Sequence, residues 1–327
     1  VFQWARSFGG PNDDEVRHMV ADSAGNVYTT GFFFGTGDFD PGPGTLNLNS
    51  AGSKDVFVQK LDPQGNLVWA KSFGGSSGDE VRRIAVDPSG NVYTTGDFRG
   101  TSDFDPDTSS FSLTATGNLD AFVQKLDTDG NFVWAKNFGG FSNDIAYSVG
   151  VDGAGNVYTC GTFQSTADFD PGVDTFNLTA LGGLNMFVSK FNASGDFRWA
   201  GAFLGTSTSE AYSLYVEPNG NVYTTGTFSG TVDFDPSAGV ANLRPAPGTS
   251  NYVFVQKMDS AGVYQWATAF GGAGADAGIN VYVDPNENIY TTGYFSGIVD
   301  FDPDTTSVSF TSTGSTDVFT LKLATNS

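Results

Sequence analysis

Five tryptophans recur at a nearly constant spacing, and this regularity restricts the fold of the 327-residue chain more than any other feature. They are Trp4, Trp69, Trp134, Trp199 and Trp266, which gives spacings of 65, 65, 65 and 67 residues. The phrases N-V/I-Y-T-x-G and D-F-D-P recur five times in the same phase. Self-similarity at a fixed period indicates a repeat architecture in which each copy is one supersecondary unit. The sequence therefore predicts one repeat domain over residues 1–327.

Each copy contains four runs with the composition of β-strands. In the second copy these runs cover residues 82–86, 91–98, 121–126 and 132–138, and they are rich in Val, Phe, Tyr and Thr. The turn sequences DPSGN and DTDGN separate the first pair and the last pair. Four short antiparallel strands in each unit are typical of a β-propeller blade. We therefore predict an all-β fold, a five-bladed β-propeller with four antiparallel strands per blade.

The two ends of the chain complement each other in sequence. The chain finishes VFTLKLATNS and begins VFQWARSFGG, and together they restore the internal unit VFVQKLDPQG–NLVWAKSFGG. We therefore predict that the N-terminal strand 1–8 pairs with residues 318–323, completes the last blade and closes the ring. Closure would remove exposed sheet edges. An open five-repeat solenoid is the alternative, but it would normally carry atypical capping repeats, and the sequence has none.

The repeat pattern resembles a known family. GG…D…V-D-x-x-G-N-x-Y-x-T-G, followed by D-x-F-V-x-K-L-D and an outer-strand Trp, resembles the bacterial secreted and surface β-propeller repeat family, the SBBP-like repeat. The resemblance extends over the whole chain and implies an extracellular or cell-surface bacterial setting without defined catalytic residues. Members of that family often have more blades, so the expected number of five comes from this sequence.

Charge and apolar patterning exclude some classes of partner. The net charge of −21 disfavours nucleic acid, because phosphate binding needs clustered Lys and Arg. No apolar run approaches the roughly 20 residues of a membrane span, so we expect no membrane insertion. The sequence lacks an initiator Met and a signal peptide, so we expect it to be part of a longer chain. The only cysteine, Cys160, replaces a Thr of the repeat and is predicted to be a small buried strand residue.

The acids of the DFDP phrases are candidate metal ligands. Alternation along a strand would send both carboxylates of each phrase one way and the Phe the other way, into the core between blades. An acid usually follows the GG phrase at the same end of the blade, as Asp14, Asp79, Asp144 and Asp276, whereas the fourth copy has Ser209. The candidate metal ligands are Asp38, Asp40, Asp103, Asp105, Asp144, Asp168, Asp170, Asp233, Asp235, Asp300 and Asp302.

Two interpretations of these acids stay open. Calcium takes six to eight oxygen ligands, so calcium could bind at such a rim, although no cofactor is required. The alternative is that an Asp before Pro caps a turn, and this interpretation is favoured. The tryptophans could similarly stack on sugars, but their repeated apolar context favours packing in the core.

Catalysis is not expected, because it needs chemically different partners whose pKa values are driven apart. Five similar copies provide similar environments, and the sequence has no phosphate loop, zinc spacing or nucleophile motif. The repeats differ most clearly at one position of the first strand of each copy, and some of these residues are expected to line the central channel. The residues at this position are His18, Arg83, Ser148, Ser213 and Asn280.

The sequence therefore favours a non-enzymatic interaction or scaffold module, secreted or at a bacterial cell surface. Similar repeated surfaces suit multivalent binding, in which linked weak sites gain avidity. The partner would be a protein or a glycan. The alternatives are a lectin that calcium assists, a structural subunit of an extracellular assembly, and, least favoured, a polysaccharide-active enzyme.

Overall fold

The computed structural model describes residues 1–246, 250–302 and 307–324. Over these residues the chain forms β-strands and turns and contains no helix, which confirms the predicted all-β class. The strands fall into five successive repeat units, which we call units 1 to 5. We call the stretch that links the fourth strand of one unit to the first strand of the next a joint.

The strands have the following bounds. Unit 1 contains β1 (Glu15–Ala21), β2 (Val27–Asp38), β3 (Asn47–Leu61) and β4 (Leu67–Gly75). Unit 2 contains β5 (Glu80–Val86), β6 (Val92–Phe98), β7 (Thr101–Asp103), β8 (Ser112–Thr114), β9 (Asp120–Leu126) and β10 (Phe132–Gly140). Unit 3 contains β11 (Ile145–Val151), β12 (Val157–Phe163), β13 (Thr166–Asp168), β14 (Asn177–Thr179), β15 (Asn185–Phe191) and β16 (Phe197–Phe203).

The last two units follow the same plan. Unit 4 contains β17 (Ser209–Val216), β18 (Val222–Phe228), β19 (Val232–Asp233), β20 (Asn242–Leu243), β21 (Tyr252–Met258) and β22 (Tyr264–Gly272). Unit 5 contains β23 (Ala277–Val283), β24 (Ile289–Phe295), β25 (Ile298–Asp300), β26 (Ser309–Thr311) and β27 (Asp317–Leu323). Each of the first four units therefore has a four-stranded main sheet, whereas the main sheet of unit 5 has three strands among the described residues.

All pairings within a unit are antiparallel and follow chain order. The short hairpin between the second and third main strands instead reaches the preceding unit. In unit 2, for example, β7 pairs with β4 of unit 1 through Gly74 opposite Asp103 and Gly75 opposite Ser102. Hydrogen bonding thus groups the strands into six sheets that do not coincide with the units, because hairpins of one unit extend the sheet of another.

Neighbouring units pack face to face through apolar side chains. One buried cluster joins Tyr28 and Val56 of unit 1 to Val81 and Ile84 of unit 2. As predicted from alternation, the Phe of every DFDP phrase is buried, with at most 6% of its surface exposed. These residues are Phe39, Phe104, Phe169, Phe234 and Phe301. Each sheet is therefore covered by other parts of the chain on the faces that meet another unit.

The predicted closure through residues 1–8 is not present in the structure. Residues 1–8 form no strand, and β27 pairs with β24 alone. The segment does keep the contacts that a fourth strand makes with the next unit. The Trp4 indole N–H donates to the Pro63 carbonyl at 3.0 Å, just as the Trp69 indole donates to the Thr128 carbonyl at 3.1 Å, 59 residues further along the chain in both cases. Its side chains thus hold it on unit 1, and the backbone ladder to β27 is the part that is missing.

The two end faces of the array are correspondingly bare. Val16 in β1 is 51% exposed, whereas Val81, its equivalent in β5, is fully buried. Val318 in β27 is 86% exposed, whereas its equivalent Val56 in β3 is fully buried. A groove of about 1080 Å³ runs along β27 beside Trp266, where the other units place their fourth strand. The described residues therefore form an array with uncovered ends.

One glycine in each second strand makes room for the first strand. In unit 3, Gly161 lies opposite Ala146, where β11 bulges before Ser148. A Cβ atom at Gly161 would overlap the carbonyl oxygen of Ile145. Gly31, Gly96, Gly226 and Gly293 have the same close approach to a backbone carbonyl in their own units. The bulge of the first strand thus depends on the absence of a side chain at this position.

We expect Gly161→Ala to lower the free energy of unfolding by about 1–3 kcal/mol or more, since backbone cannot move aside as a flexible side chain can. Chemical denaturation of the purified protein measures this change. Gly314→Ala is the matched control, because nothing lies within 4 Å of a Cβ at that glycine. Equal stability of the two variants would contradict the steric role of Gly161.

Candidate interaction site

The first acid of each DFDP phrase accepts hydrogen bonds from its own loop. Asp38 Oδ1 accepts the N–H of Asp40 at 3.0 Å and the N–H of Leu46 at 2.9 Å. The same two bonds, to the second and eighth residues along the chain, recur in the other four units. The equivalent acids are Asp103, Asp168, Asp233 and Asp300. These carboxylates therefore shape the loops.

The second acid of the phrase has a similar local role in the first four units. Asp40 Oδ1 accepts the N–H of Gly42 at 2.8 Å, and the equivalents in units 2 to 4 accept an N–H two residues further along. Those equivalents are Asp105, Asp170 and Asp235. In unit 5 the N–H of Asp302 donates to Asp300 Oδ1. In the described part of the chain, no three His, Cys, Asp or Glu side chains group as metal ligands would. Calcium binding at these loops stays a prediction.

The acids after the GG phrase lie deeper and cap a different turn. Asp144 Oδ2 accepts the Gly140 N–H at 2.7 Å, and its Oδ1 accepts the Gln164 N–H at 3.1 Å. Its carboxylate is thus engaged by the joint and by the end of β12, whereas Asp168 and Asp170 bind their own loop. The structure places all three acids at the same end of the unit, but it assigns them separate hydrogen-bond partners.

The symmetry-breaking position of the first strands brings three of its five residues together. Arg83 Nη2 donates to Asn280 Oδ1 at 2.6 Å, and Ser213 Oγ donates to the same oxygen at 2.8 Å. His18 lies close enough to Arg83 for the two to interact, and burial together with that guanidinium lowers the pKa of His18 to about 4. His18 is therefore neutral at pH 7. Ser148 Oγ instead accepts a hydrogen bond from the backbone N–H of Leu214 in the next unit.

A cluster of charged and tyrosine side chains lies where the first strands begin. We call it the Arg–Tyr cluster, and it comprises Glu15, Arg17, Lys54, Glu80, Arg82, Asp97, Tyr147, Glu210 and Tyr212. Glu80 is its centre and forms ion pairs with Arg17, Lys54 and Arg82. Five of the six ion pairs found among the described residues belong to this cluster. In a chain with only 15 Lys and Arg against 36 Asp and Glu, this is a marked concentration of cations.

The cluster continues from units 1 and 2 into units 3 and 4. Arg82 pairs with Asp97 at 2.9 Å, and its guanidinium lies 5.8 Å from the centre of the Tyr147 ring. The rings of Tyr147 and Tyr212 meet edge to face at 5.4 Å. The Tyr212 hydroxyl donates to Glu210 Oε2 at 2.5 Å. Burial, and then the Glu210 carboxylate, raise the pKa of Tyr212, so this phenol stays protonated at physiological pH.

Comparison with known proteins agrees with this architecture. The model of the SBBP β-propeller repeat matches residues 3–31, 68–97 and 265–294. These three segments of the chain match the SBBP β-propeller repeat. The matched segments include the bulge of the first strand in units 1, 2 and 5, and the turn that follows β4. Two of them also contain Glu15, Arg17, Glu80 and Arg82 of the Arg–Tyr cluster.

Two relatives of the SBBP-repeat chain are larger proteins. A WD repeat-containing protein of Acanthamoeba polyphaga mimivirus, described as uncharacterized, is 23% identical over 266 residues, which cover 70% of this chain and 19% of the relative. The regulatory protein FlaEY of Caulobacter vibrioides is 25% identical over 290 residues, which cover 84% of this chain and 29% of the relative. The chain therefore spans less than a third of the length of either protein. The chain is similar to part of each of these two proteins.

Sequence reasoning identified the symmetry-breaking position of the first strands but missed the Arg–Tyr cluster. The signal was available three places and one place before the symmetry-breaking position of the first strands, where the repeats read E-V-R, E-V-R, I-A-Y, E-A-Y and A-G-I. The alternate residues of this triplet carry the charges and the tyrosines. Lys54 and Asp97 come from other strands, and only folding brings them to Glu80 and Arg82.

The cysteine and two of the five tryptophans are buried as the sequence predicted, whereas Trp4, Trp199 and Trp266 are half-buried. Trp69 and Trp134 are buried, and each indole N–H donates to a turn carbonyl of the next SBBP repeat. Cys160 is fully buried, and burial raises the pKa of its thiol. Over the described stretches, no helix has the length and apolarity needed to cross a membrane.

Glu80 is expected to be the residue on which the cluster depends electrostatically. Burial opposes ionisation of Glu80, but Lys54, Arg82 and Arg17 outweigh that effect and hold its pKa below the ordinary value. Glu80→Gln should lower the free energy of unfolding by about 1.5–3 kcal/mol, the range for hydrogen bonds to charged groups. Because the pKa is lowered, this contribution is present above the ordinary carboxyl pKa and is lost as the pH falls through the folded-state pKa.

Urea denaturation at neutral pH and at acidic pH measures both effects. Glu15→Gln is the control, because Glu15 binds only Arg17 and half of its side chain is exposed. An exposed pair of this kind is worth about 0–1 kcal/mol. The interpretation is wrong if Glu80→Gln is no more destabilising than Glu15→Gln.

Proposed function

We propose that this SBBP-repeat chain is a non-enzymatic protein-interaction scaffold and that the Arg–Tyr cluster is its contact surface. The observation that carries the proposal is the concentration of arginine and tyrosine at one place in a strongly acidic chain. Arg and Tyr are enriched among the residues that dominate binding energy at protein interfaces. The repeats elsewhere maintain a common core, whereas this surface differs from unit to unit and so could recognise one partner in one orientation.

The accessibility of the cluster supports this role. The side chains of Arg17, Arg82 and Lys54 are 32%, 27% and 26% exposed, so each is anchored by Glu80 or Asp97 and still reaches solvent. Anchored side chains lose less conformational entropy when a partner binds. The patch mixes three cations with four carboxylates, so it favours a partner that presents polar groups and charges of both signs.

The names of the relatives are compatible with a scaffold, one being a WD repeat-containing protein and the other a regulatory protein. An enzymatic role has less support. His18 has a buried Nδ1 without a hydrogen-bond partner, and its charged neighbour is a cation, Arg83, rather than a carboxylate that could orient it as a base. We therefore place function in binding.

We also propose that the protein is secreted or displayed at a cell surface. The resemblance to the bacterial surface repeat family and the net charge of −21, which suits a soluble exposed surface, support this location. Detection of the protein on intact cells by antibody would support the proposal, and recovery only after lysis would contradict it.

The contact surface can be tested by comparing partner capture by three immobilised proteins: the unmodified chain, Arg17→Ala with Tyr212→Ala, and Arg198→Ala. Arg198 lies in β16, outside the cluster, and is exposed. We expect the unmodified chain and Arg198→Ala to capture the same proteins from the source organism. The double variant should bind them at least about tenfold more weakly, since each hot-spot truncation costs about 2 kcal/mol or more.

Melting curves of all three proteins confirm that each is folded before the comparison. Equal capture by the double variant and the unmodified chain would remove the Arg–Tyr cluster as the contact surface. If no protein is captured by any of the three, the scaffold proposal itself loses its basis.

A further inference from the structure

Two joints of the array each hold a pair of buried aspartates that face each other. The first pair is Asp55 and Asp79. Asp55 begins the buried part of β3 in unit 1, and Asp79 lies in the joint between units 1 and 2. The second pair is Asp120 and Asp144, at the equivalent positions one unit later, with the same separation of 24 residues. All four side chains are at most 2% exposed. We call these the acid pairs.

A glycine shows how close the two carboxyl groups of each pair come. A Cβ atom placed on Gly139 would lie 2.9 Å from Asp120 Oδ1 and 2.9 Å from Asp144 Oδ2. A Cβ atom on Gly74 would lie 2.8 Å from Asp55 Oδ2 and 2.8 Å from Asp79 Oδ2. Both carboxyl groups of each pair thus border the same small space above a glycine of the GG phrase, shielded from water.

The hydrogen bonds distinguish the two members of each pair. Asp79 is fully engaged, because its oxygens accept from the Gly75 N–H and the Ser102 hydroxyl. Asp144 is engaged in the same way by two backbone N–H groups. Asp55 and Asp120 each accept through Oδ2, but their Oδ1 atoms are buried with no hydrogen-bond partner. A buried acceptor without a partner is costly, so each of these groups needs explanation.

The third joint shows what the unpartnered position requires. There Asn185 stands in place of Asp55 and Asp120, and Ser209 stands in place of Asp79 and Asp144, again 24 residues apart. Asn185 Oδ1 accepts the Leu181 N–H, as the Oδ2 atoms of the aspartates accept theirs. Its Nδ2 donates to the carbonyls of Gly205 and Ser207. The repeat therefore places a hydrogen-bond donor where the two aspartates have an unpartnered oxygen.

The surrounding charges do not neutralise the acid pairs. Asp79 interacts electrostatically with the Asp97 carboxylate and the Lys54 ammonium. However, Lys54 already forms an ion pair with Glu80, and Asp97 forms one with Arg82. Asp120 has the neutral Asn137 amide as its side-chain neighbour, and Asp144 has only Asp120 as a charged neighbour. Two ionised carboxylates at such short range, away from water, would repel strongly.

We propose that each acid pair binds one proton when the protein is folded at neutral pH. The proton sits on Oδ1 of Asp55 or Asp120, the unpartnered oxygen at the position where the third joint has the donating Asn185 amide. One proton then satisfies the unpartnered oxygen and reduces the charge of each pair from −2 to −1. The array is thereby a proton-binding structure at two of its joints, independently of any partner at the Arg–Tyr cluster.

The raised pKa of all four carboxyl groups agrees with one proton bound by each pair. Burial raises the pKa of Asp55 to about 7 and that of Asp79 to about 6, and each carboxyl of the second pair is raised by burial as well, Asp144 to about 7. The folded chain therefore binds protons that the unfolded chain has lost. Stability from the acid pairs is present at low pH and is lost as the pH rises through about 6–7. The two joints should loosen in mildly alkaline solution.

The test compares urea unfolding midpoints between about pH 5 and about pH 8 for the unmodified chain and for Asp55→Asn with Asp120→Asn. The variant copies the Asn found at the third joint. We expect the midpoint of the unmodified chain to fall over this range, and at least half of that fall to disappear in the variant. Asp129→Asn, in an exposed turn, is the matched control and should keep the full fall.

A second measurement and a variant that adds a third acid pair test whether the pH response comes from the acid pairs. Infrared difference spectra at neutral pH should show a protonated carboxyl band that the double variant lacks and the Asp129→Asn control keeps. Asn185→Asp with Ser209→Asp builds a third acid pair and should deepen the fall in midpoint. The proposal is overturned if the unmodified chain and the double variant respond in parallel to pH. It is also overturned if calcium at about pH 8 restores the midpoint only when the pairs are intact, because the occupant would then be a cation.

Discussion

Face-to-face packing of successive sheets is the interaction on which the rest of this structure depends. A four-stranded sheet of this size cannot bury its apolar residues alone, so each unit needs a neighbour. The aromatic ring of every DFDP phrase fills this contact, and the glycine of every second strand lets the first strand bulge into place. Units 1 and 5 each have one face without a neighbouring unit, and apolar residues that are buried at the internal contacts are exposed on these faces.

Given this packing, most of the acidity of the chain has a structural role. The DFDP acids accept backbone N–H groups of their own loops, and the acids after GG cap the joints. An Asp at such a position offers a short, charge-assisted hydrogen bond that an apolar residue could not replace. The acidic composition by itself therefore says little about ligands, and the informative positions are those where a carboxyl group meets an arginine, a tyrosine or a second carboxyl group.

The Arg–Tyr cluster coincides with departures from the repeat, whereas the acid pairs recur at equivalent positions of two joints. The Arg–Tyr cluster uses two positions of the first strand that differ among units, and Asn185 and Ser209 replace the acid pair at one joint. A repeat array keeps its core residues because every unit faces the same packing problem. Residues that vary between units at one position are free of that packing constraint, so the proposed contact surface lies at a site that a single copy of the repeat does not predict.

The sequence by itself determined the all-β class, the bounds of the repeat, and the burial of the DFDP phenylalanines and of Cys160. All of these follow from contacts within one repeat or between identical neighbours, which periodicity makes visible. Only the tertiary structure decided that Lys54 and Arg17 meet at Glu80, that Asp55 faces Asp79, and that Val1 to Phe8 lies on unit 1 without pairing with β27. Those features depend on distances between residues far apart in the chain, and a one-dimensional pattern carries no information about them.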